Sequence, residues 1–211
     1  MSLFITFEGI DGCGKSTQIK LLHKNLMNAG YLTELTREPG GTPISEKIRS
    51  IILGVENAEM SSRCELLLYL AARAQHVEEK IIPAIYQGKI VLSDRFEEAT
   101  FAYQGCGRDI GVQTIAPLNA FATRDLIPDL TFVLDISVEE SEKRFIASGK
   151  ILDRLELNSK EFFTKIRKGY MERVLLNQAH MMSINGELSV SEIETMIFSQ
   201  VLSLIHAKRL N

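Results

Sequence analysis

Gly9-Ile10-Asp11-Gly12-Cys13-Gly14-Lys15-Ser16 fits the pattern G-x-x-x-x-G-K-[ST]. An apolar run of strand type, 3–7, precedes it, and a helical pattern opens near Gly14 and takes in Thr17. Strand, glycine loop and helix, in that order, form the context in which this motif cradles phosphate. Gly9, Gly12 and Gly14 admit backbone angles closed to other residues, so the loop can wrap an anion with its N–H groups turned inward. The helix N-terminus adds unpaired N–H groups and the positive end of its dipole. Lys15 is expected to reach the outer phosphates, and the Ser16 hydroxyl to ligate Mg²⁺. The stretch from Gly9 to Thr17 is therefore the expected nucleoside triphosphate site.

Acidic and basic residues nearly cancel, 27 against 24, giving a formal net charge of −3. No basic excess marks a nucleic-acid face, so phosphate binding must rest on local clusters. No apolar stretch approaches the ~18 residues of a membrane span, and no basic leader precedes the first strand, so neither a membrane nor a signal peptide is expected. Cys13, Cys64 and Cys106 make neither a disulfide framework nor a zinc-spaced set, which fits a reducing cytoplasm. The histidines His23, His76, His180 and His206 have no metal-ligand grouping; His76, one turn beyond Arg73, is expected to pack or lie at the surface, with a place lining the pocket as the other reading.

Short strand-like runs alternate with longer helical ones. The pattern predicts strands over 3–7, 31–35, 90–93, 130–135 and 181–184. It predicts helices over 14–28, 44–52, 60–86, 97–105, 110–124, 138–148, 159–179 and 191–207. Such alternation implies an α/β fold, a parallel sheet covered on both faces, in one domain spanning 1–211. Ligands in such sheets bind beyond the carboxyl ends of the strands. That rule brings Arg37 and Asp94-Arg95 to the crevice of the phosphate loop. Arg95 at a strand end can clamp a phosphoryl group in bidentate fashion. Asp94 can hold Mg²⁺ through water, or orient the acceptor. Arg37 and Arg49 with Arg95 describe a second anion site facing the first. Two phosphate sites in one crevice indicate phosphoryl transfer between two nucleotides. Tyr69 and Arg73 share a helix face, one able to stack on a base and the other to donate to its carbonyl. Thr100, Tyr103 and Gln104 repeat that logic on the helix after Arg95.

Several segments together resemble the thymidylate kinase family: Phe7-Glu8-Gly9 through Thr17, Thr36-Arg37-Glu38-Pro39-Gly40-Gly41-Thr42, Ala71-Ala72-Arg73-Ala74-Gln75-His76, and Asp94-Arg95 leading to Ala102-Tyr103-Gln104-Gly105. Leu118-Asn119, Pro128-Asp129-Leu130-Thr131 and Leu152-Asp153-Arg154-Leu155-Glu156 fit in the same order. The resemblance implies a P-loop NTPase fold with a five-stranded parallel sheet in the order 2-3-1-4-5, and Mg²⁺-dependent transfer from ATP to dTMP. It implies a homodimer. It also implies that Asp11 meets the deoxyribose 3′-hydroxyl, and that Arg37, Arg95 and Arg49 hold the dTMP phosphate. Tyr69 would stack on thymine, Arg73 would bond its carbonyl, and Thr100 and Gln104 would complete the base contacts. Tyr103 would stand beneath the 2′ position. The chain departs from the family at Ala99, commonly serine, and at Phe96, commonly tyrosine or histidine.

Glycine at position 12 leaves the loop without the arginine that some relatives carry there. A lid over 144–156 would then supply the missing cation, with Arg154 closing over the phosphates, assisted by Arg144 and Lys150. An arginine of this kind is worth roughly 10³–10⁵ in rate. Other readings of the loop are a different small nucleoside or nucleotide kinase, a GTP-driven switch, or a non-catalytic nucleotide sensor. No [NT]-K-x-D motif for guanine appears downstream, which argues against the switch.

Overall fold

The order of the strands places the phosphate loop in the middle of the molecule. In the computed structural model, which describes residues 2–149 and 151–210, β1 (Leu3–Glu8) is the central strand of five. It lies between β3 (Ile90–Asp94) and β4 (Leu130–Asp135); β2 (Thr33–Arg37) and β5 (Met181–Asn185) form the edges. All pairings are parallel, and the order β2-β3-β1-β4-β5 is the one expected. Register puts Phe7 beside Asp94 and Arg37 beside Asp94 on the other side, so three strand ends meet at one crevice.

Nine α-helical segments are described: α1 (Lys15–Asn28), α2 (Pro43–Leu53), α3 (Ser62–His76), α4 (Ile82–Tyr86), α5 (Glu97–Thr100), α6 (Val112–Thr123), α7 (Val138–Ser148), α8 (Lys160–Leu176) and α9 (Val190–Leu210). The predicted helix 60–86 is realised as α3 and α4 joined without a break by a wider π turn over Val77–Ile81. Pro83 explains the widening, since its ring lacks an N–H and crowds the preceding turn. A second π segment, Phe101–Gly107, continues α5. Strand β2 starts and ends two residues later than the predicted 31–35. Gly30, at φ 84°, closes α1, where Tyr31 N donates to Leu26 O, and Arg37 stays in register with Asp94.

Leu3, Ile5 and Phe7 of β1 are buried with Ile19, Leu22 and Leu26 of α1 and Ile193, Ile197 and Val201 of α9. On the alternate positions, Phe4 and Val91 join Phe96, Val77 and Ile81. Both faces of the sheet are therefore covered, as near-continuous apolar strands require.

A close contact joins α8 to the π segment after α5. A Cβ on Gly169 would stand 2.6 Å from Cys106 Sγ and 3.0 Å from its Cβ. Overpacking of this kind costs about 1–3 kcal/mol. Gly169→Ala is therefore expected to lower Tm by roughly 2–12 °C, at about 2–4 °C per kcal/mol for a chain of this size. Adding Cys106→Ala should recover part of the loss, a comparison made directly by calorimetry of the single and double variants.

Candidate active site

The loop between β1 and α1 has the backbone that its glycines permit. Gly9 lies at φ 130°, and a side chain there would press into the Leu134 carbonyl. Gly14, at φ 98°, caps α1 without a side-chain bond, and its carbonyl takes Thr17 N at 3.1 Å and Gln18 N at 3.0 Å, so no capping side chain covers the helix N-terminus where it meets the loop. Lys15 is buried, and its Nζ donates to Gly9 O and Ile10 O, each at 2.9 Å. The ammonium thereby sits inside the curve of the loop. Ser16 Oγ donates to Asp94 Oδ2 at 2.7 Å.

A cavity of about 420 Å³ opens over this loop, bounded by Lys15, Ser16, Arg37, Arg49, Asp94 and Arg144. It adjoins a smaller cavity of about 90 Å³ lined by Pro39, Leu53, Tyr69, Ala99, Tyr103 and Gln104. Asp11, Arg49 and Arg95 line both. Of the three arginines predicted from sequence, Arg49 and Arg95 are thus at the junction of a phosphate cavity and a pocket with an aromatic wall, while Arg37 lines only the larger of the two. Crowding is visible in the charges: burial first, then Arg37, lowers the pKa of Arg49. Arg49 is held by Pro39 O at 2.8 Å, and Arg37 by Glu46.

Arg95 is the most constrained of these residues. Its backbone is left-handed at φ 74°, a conformation that costs a non-glycine residue of order 1 kcal/mol or more. Its N–H donates to Phe7 O, and Ser93 Oγ closes on its carbonyl at 2.7 Å. Nη1 donates to Gly9 O and Tyr170 Oη, both at 3.1 Å, while Nη2 pairs with Asp11 and with Tyr103 Oη. Both Nη atoms are thus occupied by protein, which differs from the free bidentate clamp expected.

Two carboxyls near Arg95, the buried Glu8 and the half-buried Asp11, are driven in opposite directions. Burial pushes Glu8 up to about 8, against the pull of Arg95. Glu8 accepts from Phe96 N at 2.7 Å and from Tyr170 Oη at 2.9 Å, and Tyr170 in turn takes Arg95. Burial also opposes the charge of Asp11, but Arg95 and Lys15 outweigh it and hold that carboxyl down to about 2. Asp11 therefore stays ionised beside the guanidinium.

The remaining predicted residues divide. Arg73 is fully buried behind the smaller cavity, donating to Glu38, Thr100, Asn119 and Phe96 O. Gln104 is nearby, but its amide donates to Glu65. Arg144 reaches the loop, donating to Gly12 O at 3.2 Å and to Gly186 O at 3.0 Å. Arg154 does not reach it. That guanidinium is turned inward, to Ile52 O at 2.8 Å and Glu65 Oε2 at 2.7 Å, because a buried carboxylate already needs a cation there. Its neighbours Asp153, Leu155 and Glu156 instead wall the smaller cavity. Lys150 lies outside the described residues. Glu8, Glu38, Glu65, Asn119 and Tyr170 were not picked out as site residues from sequence. Glu8 carried a signal as a carboxylate ending a largely apolar strand, and Glu38 and Asn119 stand in segments that resemble the family; Glu65 and Tyr170 carried none.

The family model described as thymidylate kinase matches residues 7–197. The chain belongs to the thymidylate kinase family. A thymidylate kinase of Pelobacter propionicus is 48% identical over 207 residues, covering 96% of this chain and 94% of that protein. One of Geotalea daltonii is 45% identical, covering 98% and 99%. The crystal structure of thymidylate kinase from Ehrlichia chaffeensis superposes with a TM-score of 0.78 at 32% identity, covering 95% of this chain and 98% of that one. Membership fixes the chain as a phosphotransferase with a P-loop NTPase fold. Among the described residues of this family member, no helix is long and apolar enough to cross a membrane.

The raised pKa of Glu8 has a sign that can be measured. Folding binds a proton between the ordinary value of 4.5 and about 8. The stability this contributes is complete below about 4.5 and is lost as pH rises through 8. Relative to Glu8→Gln, the unsubstituted protein should lose thermal stability steadily from pH 5 to 8.5. Parallel melting curves across that range, with an unchanging gap, would remove the assignment.

Proposed function

We propose that the two joined cavities hold ATP and dTMP end to end, with Arg95 at the junction. The chain transfers the γ-phosphoryl group of ATP to dTMP, as its family does. The single observation that carries the residue assignment is the shared border between the loop cavity and the aromatic-walled pocket, where Arg49 and Arg95 stand with Asp11, Glu38 and Glu156.

The acceptor is already a phosphate oxyanion, so no base is needed to make a nucleophile. The work is positioning and the neutralisation of charge. The loop N–H groups from Gly9 to Thr17 and Lys15 cradle the donor phosphates. Arg144 supplies the cation that glycine at position 12 leaves out. Arg37, Arg49 and Arg95 take the acceptor phosphate, which displaces Asp11 from Arg95 and frees that carboxylate for the sugar 3′-hydroxyl. Tyr69 faces the base, Arg73, Thr100 and Gln104 bound its polar edge, and Tyr103 lies under the sugar. Arg154, fixed to Glu65, holds the wall formed by Asp153 and Glu156.

The donor set fits Mg²⁺. Ser16 and Asp94 present two hard oxygens 2.7 Å apart beside the loop. Magnesium is commonly held by one or two such ligands together with substrate phosphates. No cluster of three or more His, Cys, Asp or Glu that could hold a metal occurs among the described residues. Bound there, Mg²⁺ would offset charge on the donor phosphates.

Ile51, Leu67 and Phe121, exposed on α2, α3 and α6, offer an apolar surface for a homodimer. The cysteines are free, as suits a reducing cytoplasm.

Coupled ADP release tests the reading. ADP should form only when dTMP and Mg²⁺ are both present. Arg144→Ala should lower kcat by at least tenfold with little change in KM for dTMP. Arg95→Ala should cost at least a hundredfold in kcat/KM for dTMP. ADP formation at the same rate without dTMP would contradict the proposal, as would an Arg144→Ala enzyme of full activity.

A further inference from the structure

Arg73 is a guanidinium with almost nothing left to give. An arginine has five N–H bonds. Nε donates to Glu38 Oε2 at 2.7 Å, and Nη1 donates twice, to Thr100 Oγ1 and Asn119 Oδ1, each at 2.7 Å. Nη2 donates to Phe96 O at 2.8 Å. One Nη2 N–H remains. The plane is further fixed by the Phe96 ring, whose centroid is 5.5 Å from Cζ. Such a group cannot turn toward a ligand, so its last donor has one direction only.

The brace has a second layer. The other oxygen of Glu38 takes His76 Nδ1 at 2.9 Å, and His76 Nε2 meets Thr36 Oγ1 at 2.6 Å. With Nδ1 carrying its proton, Nε2 accepts from the Thr36 hydroxyl. Gly41 closes over this contact: a Cβ there would stand 2.7 Å from both His76 Nε2 and Thr36 Oγ1. Glu38, Arg73, His76 and Asn119 are all buried. A buried network with all its partners made specifies one geometry.

We infer that Asn119 and His76 are positioning residues that aim the single free N–H of Arg73, and so set the preference for a pyrimidine bearing a carbonyl over one bearing an amino group at the same ring position. The inference rests on the reading of Arg73 as the residue that bonds the base. A fixed donor meets a carbonyl as a partner and an amino group as a second donor. A site committed to one hydrogen-bond sense rejects the other strongly, whereas a methyl-sized pocket discriminates weakly. Asn119 acts on Nη1 directly. His76 acts through Glu38 on Nε.

Steady-state kinetics with dTMP, dUMP and dCMP at saturating ATP, together with KM for ATP, test this. Asn119→Leu keeps the volume and removes the acceptor. It should raise KM for dTMP about tenfold or more and lower the dTMP to dCMP ratio of kcat/KM by a similar factor. KM for ATP should move less than twofold. The dTMP to dUMP ratio should hold, because both bases carry the carbonyl and differ only in the methyl group. Asn119→Asp, which keeps the acceptor, should restore the dCMP discrimination. His76→Phe should shift the same ratio in the same direction by a smaller factor, and it carries the test if Asn119→Leu does not fold. Discrimination against dCMP unchanged within twofold in Asn119→Leu or His76→Phe, or dTMP and dUMP diverging as much as dTMP and dCMP, overturns the inference. Arg73→Leu separates the two levels. If it leaves KM for dTMP unchanged, the base-bonding reading itself fails; if it raises KM while the brace variants do nothing, only the positioning inference fails.

Discussion

The guanidinium of Arg95 ties three pieces of chain that would otherwise meet only at their strand ends. It holds the first turn of the phosphate loop through Gly9 O and Asp11, the π segment through Tyr103, and α8 through Tyr170. The left-handed backbone at Arg95 turns the chain sharply at the end of β3, and the bonds to Phe7 O and Ser93 Oγ hold that turn. A strained backbone of this kind persists only where its surroundings over-determine it. The donor and acceptor cavities share a wall because this residue is fixed between them.

Opposite treatment of two carboxyls follows from that fixed cation. Asp11 makes direct contact with Arg95 and has Lys15 near, so attraction exceeds the penalty of burial and the group is a permanent anion. Glu8 is one hydroxyl further away, behind Tyr170, and burial dominates. On the proposed reading, the nearer carboxylate screens the guanidinium until a phosphate replaces it, while the farther group supports Tyr170. A crevice meant for two multiply charged anions gains from this division. Extra buried anions would repel both substrates, and unscreened cations would repel one another, as Arg37 already does to Arg49.

The fold was legible because each strand announced itself locally. Leu3–Glu8 and Leu130–Asp135 are apolar runs of strand length, and Gly14 and Lys15 mark where β1 gives way to α1. The π turns were not legible, since a widened turn keeps the apolar spacing of a helix and shows only a Pro83 as its trace. Site residues on the loop and strand ends followed from the rule that ligands gather there. Glu38, Glu65 and Asn119 could not be found that way. Each is a polar residue whose partner is distant in sequence: Arg73 for Glu38 and for Asn119, and Arg154 for Glu65. Pattern reading sees a charge on a helix or loop and takes it for solvated. Only the folded chain shows that these groups are buried and matched.

The same long-range pairing decides between the lid arginines. Arg154 and Glu65 are both nearly inaccessible and meet at 2.7 Å, with Arg108 and Gln104 on the same carboxylate. Breaking a buried pair by removing one partner costs about 3–5 kcal/mol. For Arg154 to leave for a phosphate, the new contact must exceed that loss, although Arg108 would still partly satisfy Glu65. Arg144 faces no such barrier: its carboxylate partner, Glu140, is partly exposed, and its other bonds are to the backbone carbonyls of Gly12 in the loop and Gly186 just after β5. Exposed pairs are worth about 0–1 kcal/mol. A multiply charged phosphate can therefore recruit Arg144 at little expense in stability, while Arg154 does more by keeping the acceptor wall in place.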